Sequence, residues 1–141
     1  MGYNTNIIVD VEVKEDKIEE FRKAIEEQLK QLEADGNHWF GYYADIEVED
    51  DGRIVFEDYC RKFYEEDAFA EWLAPYVAEG HIWCYGEEPG DVWAIHFDGK
   101  GNYRIEEAAI VWEEEKEALY KIRELSKKTG KSPLELVKSL E

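Results

Sequence analysis

Hydrophobic residues at Ile7, Val9, Val11 and Val13 alternate with Ile8, Asp10 and Glu12. A period of two marks a half-buried strand. The period then lengthens: Ile18, Phe21, Ile25, Leu29 and Leu32 recur at helical spacing, and Gly36 is the stop. Asp16, with Glu19 three residues on, reads as a capping box at the start of that helix. Alternation returns at Phe40, Tyr42, Ala44, Ile46 and Val48, and again at Ile54 and Phe56, around the turn signal Asp50-Asp51-Gly52. Ala68, Phe69, Trp72, Leu73, Tyr76 and Val77 make a second amphipathic helix, kinked in its last turn by Pro75. Strands are expected over 81–85, 92–97 and 103–110, joined by Glu88-Pro89-Gly90-Asp91 and by the loop 98–102. A third helix runs from about Glu113 to Thr129 and stops at Gly130. Ser132, Pro133 and Glu135 then cap a short fourth helix.

The element order is β-α-β-β-α-β with two strands added, the split β-α-β arrangement of a ferredoxin-like fold. The expected class is α+β. Its antiparallel sheet is extended to about six strands in the order 2-3-1-4-5-6, with both helices on one face. Two C-terminal helices follow. The chain divides into an acidic domain, 1–112, and a helical appendage, 113–141, that docks or dimerises.

The register of the 46–56 hairpin follows from its faces. A two-residue turn at Asp51-Gly52 pairs Val48 with Val55 and turns Glu57 inward. A three-residue loop with left-handed Gly52 pairs Val48 with Ile54 and Ile46 with Phe56, and keeps one face apolar; it is the register expected. Extended outward, it sets Tyr43 opposite Tyr59 and Asp45 opposite Glu57.

Charge sharpens this picture. Residues 1–115 hold 31 Asp and Glu against 10 Lys and Arg, a net of −21, while 116–141 hold 4 against 7, a net of +3. Such a body repels nucleic acid and anionic membranes and attracts basic protein surfaces. Aromatic residues make up 14% of the chain, enough large rings to build a core despite the charge. The N-terminus lacks the basic and apolar regions of a secretory signal, and no run has the length of a membrane span. A cytoplasmic setting with Cys60 and Cys84 reduced is expected.

The sheet face away from the helices carries the functional reading. Tyr43, Asp45, Glu47, Glu49, Glu57 and Tyr59 are expected there together, as an acidic, aromatic surface for a basic partner. Like charges across a strand pair are unfavourable unless well solvated or used. A solvated face is the plainer account of the acids, but it leaves the tyrosines unexplained. His81 and His96 share that face, opposite one another across their hairpin. With Trp83 and Tyr85 they offer an alternative reading as a small-ligand or metal-dependent enzyme site. Two imidazoles fall short of a zinc ligand set, so no metal or cofactor is expected. No catalytic residue is expected either: Cys84 reads as core, and nothing pairs Cys60 with a histidine. Gly130-Lys131-Ser132 lacks the earlier glycine of a phosphate loop. The lysines around 121–138 offer too little net charge to bind DNA against the acidic body. A structural homodimer formed through the C-terminal helices is the third reading.

Gly86-Glu87-Glu88-Pro89-Gly90-Asp91-Val92-Trp93, followed by Phe97-Asp98-Gly99-Lys100-Gly101-Asn102, resembles small proteins of phages and mobile elements, some with a YubB-like ferredoxin-like domain. The resemblance spans roughly residues 40–110. It implies a ferredoxin-like fold and a phage or mobile-element origin, and carries no catalytic residues across. In that setting the acidic module is expected to inhibit a host nuclease or CRISPR effector as a nucleic-acid mimic.

Overall fold

A computed structural model describes residues 3–36, 41–57 and 59–140. The first alternating stretch forms β1 (Asn4–Asp10). Beyond it Glu12 and Val13 make single bridges, to Arg53 and Val77. Helix α1 (Ile18–Ala34) buries Ile18, Phe21, Ala24 and Ile25 and gives way to Gly36 at φ +66°. The expected capping box at its start does not form. A 3-10 turn over Glu15–Lys17 leads into the helix, and neither that turn nor α1 receives a side-chain cap.

The β2 (Ile46–Val48) and β3 (Ile54–Phe56) hairpin adopts the three-residue-loop register, with Ile46 opposite Phe56 and Val48 opposite Ile54. Gly52 takes φ +93°. The strand expected to begin at Phe40 is shorter, because residues Gly41–Asp45 form a 3-10 turn. His38, Trp39 and Phe40 lie outside the described residues.

The chain continues through β4 (Cys60–Lys62), α2 (Glu66–Leu73), a 3-10 turn holding Pro75, and β5 (Glu79–Tyr85). Strands β6 (Val92–Asp98) and β7 (Tyr103–Ala108) complete the unit. Five strands pair in the order β4-β1-β5-β6-β7, all antiparallel. The expected third strand keeps its pairing only over Ile54–Phe56, and β4, which the pattern did not predict, pairs with β1 in its place, so β2 and β3 form a separate two-stranded ladder. That ladder is tied to β1 by the Glu12–Arg53 bridge. Strand succession is otherwise as the pattern implied: β1 lies between β4 and β5, and α2 makes the split crossover. The protein is α+β.

Both helices cover one side of the sheet. Phe21, Ile25, Phe69 and Leu73 share a single buried cluster with Ile7, Ile82, Cys84, Ile95 and Phe97. Phe69 is its hub, its ring lying 5.5–6.2 Å from those of Phe63, Tyr43, Trp72 and Phe56. Burying one such side chain fully contributes about 1.5–3 kcal/mol.

Compact units divide at 109/110, three residues before the boundary expected at 112/113. The second unit, taken by itself, holds α3 (Glu113–Thr129) and α4 (Pro133–Lys138). Gly130 at φ +73° ends α3, and Ser132 Oγ accepts from the Glu135 amide at 3.2 Å to cap α4. Helix stop and helix cap therefore account for Gly130-Lys131-Ser132. No helix among the described residues is long and apolar enough to cross a membrane.

Candidate functional site

The face of the sheet turned away from α1 and α2 is laid out by the strand register. One cross-strand row runs Asp10, His81, His96, Arg104; the next runs Ile8, Trp83, Ala94, Glu106. A third row sets Glu79 opposite Asp98. The parity that buries Ile7, Ile82, Cys84, Ile95 and Phe97 sends these side chains outward. Ile8, 53% exposed, and Tyr85 form its apolar part.

Electrostatics centre on the histidines. Their ring centroids are 5.8 Å apart, and Trp83 meets His81 edge-on at 4.8 Å. His81 Nε2 lies 3.3 Å from Asp10 Oδ2, and His96 Nε2 lies 3.9 Å from Glu106 Oε2. Glu106 is shared with Arg104 Nη1 at 3.0 Å. Burial holds the His96 imidazole below the usual histidine pKa; the Arg104 charge adds to this, Glu106 opposes it and His81 adds to it again. A cleft of about 570 Å³ opens here, lined by both histidines with Asp10, Glu79, Asp98 and Arg104 among others. Asn102 and the loop amides hold the Asp98 carboxylate below its usual range.

The two Nε2 atoms are engaged by carboxylates from strands on opposite sides of the pair. Among the described residues no group of three or more His, Cys, Asp or Glu is placed to hold a metal. Cys84 is buried on the other face, and burial, with Glu66 adding, pushes its thiol well above the ordinary range. It is a core residue, remote in orientation from the imidazoles.

The predicted docking residues divide. Glu47, Glu49 and Glu57 are exposed, and Tyr59 is 43% exposed. The Glu57 amide donates to the Asp45 carbonyl at 3.1 Å, which sets Asp45 opposite Glu57 as the register requires; Asp45 is half-buried. Tyr43 is not on this surface. It is 3% exposed, and its ring packs against Trp72 at 5.0 Å and Phe69 at 5.7 Å. The 3-10 turn breaks the two-residue period there, so parity counted back from Val48 misassigns its side. Glu49 is also partly occupied, bound at 2.7 Å by Arg53, which reaches Asp51 as well.

Sequence reasoning passed over Ile8, Asp10 and Glu79. Alternation already marked Ile8 and Asp10 as outward-facing, and the expected strand order put β1 beside the histidine strand; Glu79 lay before the expected start of that strand at His81. What was missing was the row that sets Asp10 against His81.

Comparisons with protein-family models, with curated proteins and with solved structures gave no match.

Proposed function

We propose that residues 1–109 form a non-enzymatic binding module that docks a basic protein surface on the open face of its sheet. The observation that carries this is the sharing of one face, opposite both helices, by exposed acids and aromatic residues. Glu47 and Glu57 lie on the hairpin, Asp10, Glu79 and Glu106 on the larger sheet with Trp83 and Tyr85, and Tyr59, 43% exposed, lines a cleft with Asp10 and Val55. Two like-charged pairs lie directly across strands, Asp45 with Glu57 and Glu79 with Asp98. Like charges so placed disfavour the sheet unless solvated or satisfied, and Asp98 is already held by Asn102 and the loop amides. Among the described side chains, the arginines on this face, Arg53 and Arg104, are already held by acids.

Tyr59 and Trp83 are the anchors of the docking surface, and the acids provide long-range attraction and orientation. A net charge of −18 keeps nucleic acid itself away. The phage or mobile-element setting implied by the 86–102 stretch makes a nucleic-acid-binding host protein the favoured class of partner, its basic groove filled by this face.

The test is capture of partners from a host lysate at low and high salt, followed by affinity measurement. Charge-driven docking weakens steeply as salt screens it. Glu47→Lys with Glu57→Lys removes binding while circular dichroism remains unchanged. An affinity that stays flat across the salt series overturns the reading.

A further inference from the structure

We infer that the His81–His96 pair makes docking on this face pH-dependent, loosening a basic partner as the pair takes up protons; this deepens the docking reading and rests on it. The two imidazoles sit directly opposite one another in the register, at the centre of the face and 5.8 Å apart by ring centroid. Neutral, they add nothing to the charge met by a partner. Protonated, they place positive charge among the acids that attract it.

Every element beside the pair contributes to its field. β1 provides Asp10, β5 provides Glu79 and β6 provides Asp98. β7 provides Arg104 and Glu106. Asp10 and Glu106 each neutralise one imidazolium, but Glu106 is already shared with Arg104. His96 is the less compensated member. Its lowered pKa, with burial first among the causes and the Arg104 and His81 charges contributing, agrees with that. Histidine titrates within the physiological range, so a small change in pH changes the charge of the docking face. Linkage is reciprocal: a bound cationic partner drives protons off the pair.

The experiment uses the full chain and a fluorescein-labelled deca-arginine peptide, read by anisotropy at low salt. Lowering the pH from about 7.5 to about 5.5 spans histidine titration while leaving ordinary carboxylates ionised. Affinity for the parent is expected to fall on the order of threefold to tenfold, as one or two like charges enter a partly screened site. His81→Gln with His96→Gln is expected to bind equally at both pH values. If the double variant loses affinity as the parent does, the pair is not the switch, and the docking reading stands. If the peptide shows no salt-dependent binding at the higher pH, the docking reading falls and this inference falls with it. A proton NMR titration without peptide tests the coupling alone. The His96 midpoint is expected to rise in His81→Gln, and an unmoved midpoint overturns the pairing.

Discussion

The indole Nε1 of Trp93 donates to the Glu66 carboxylate at 2.6 Å, joining β6 to the first turn of α2. Glu66 is held above its usual pKa, chiefly because it is desolvated; the Trp93 bond lowers it, and Asp67 and Asp91 raise it. The carboxylate therefore accepts a useful hydrogen bond at a desolvation cost. Glu66→Gln keeps an acceptor and sheds the charge, and its stability at neutral pH is expected within about 1 kcal/mol of the parent. Glu66→Ala strands the indole N–H and loses about 1–3 kcal/mol. The sign with pH follows from the raised folded-state value. This group's contribution is fully favourable below the unfolded value near 4.5 and is lost as pH rises through the folded value. Urea unfolding across that window checks both points. A Gln variant as damaged as the Ala variant refutes the account.

Gly52 closes the β2–β3 hairpin and seats it on the chain after β1. Its carbonyl accepts from the Val13 amide at 2.8 Å, and a Cβ built on it would lie 2.5 Å from the Val13 oxygen. Gly101 shares the left-handed region, at φ +90° against +93°, but has open space around it. Gly101→Ala is expected to cost about 1–2 kcal/mol from backbone strain. Gly52→Ala adds a backbone clash to a similar strain and is expected to cost roughly 3 kcal/mol or more. Equal losses in denaturant unfolding remove steric contact with Val13 from the explanation.

Two tyrosines expected to face one another have opposite fates. Tyr43→Ala empties a site between Phe69 and Trp72 and is expected to lose about 3–5 kcal/mol, as large-to-small core changes do. Tyr59, with 43% of its surface exposed and an edge-on contact to Phe56, gives up about 1 kcal/mol or less on the same change. Its loss shows in partner affinity instead. A Tyr43 variant with unchanged thermal stability contradicts its place in the core.

These residues mark where reading by period succeeded and where it failed. The hairpin register was legible because only one alignment keeps Ile46, Val48, Ile54 and Phe56 on one side. The His81–His96 pairing was legible for a similar reason, since the tight turn at 88–91 fixes the count between them. Tyr43 was not, because its neighbours are aromatic on both parities and a 3-10 turn has no period-two signal. The start of β4 was hidden too: alternation can be followed from Ile54 only to Tyr59, and the offset between β3 and β4 arises where each part meets the chain at and after β1. Of the histidines' carboxylate partners, Asp10 comes from a strand far away in sequence and emerges only once β1 flanks β5, whereas Glu106 lies on the strand that directly follows His96.

Glu65 tests how much local strain the start of α2 tolerates. It precedes the helix at φ 58°, ψ 47°, the one non-glycine residue with positive φ among those described, and its side chain makes no capping bond. Its carbonyl accepts from the Phe69 amide at 3.1 Å, so the backbone must hold this conformation for the first helical turn to close over the Phe69 core. An L-residue in the left-handed region costs roughly 1–2 kcal/mol. Glycine removes that cost but loses about 0.5–1 kcal/mol in unfolded-chain entropy and the favourable acid at a helix N-terminus. Glu65→Gly is therefore expected to match or slightly exceed the parent in thermal unfolding. Glu65→Gln isolates the charge and is expected to lose about 0.3–1 kcal/mol. Glu65→Val brings a β-branched side chain to the same dihedrals and is expected to be the least stable of the three. A valine variant as stable as the glycine variant means that α2 begins with ordinary backbone geometry, and the left-handed start is not what aligns Phe69 with the sheet.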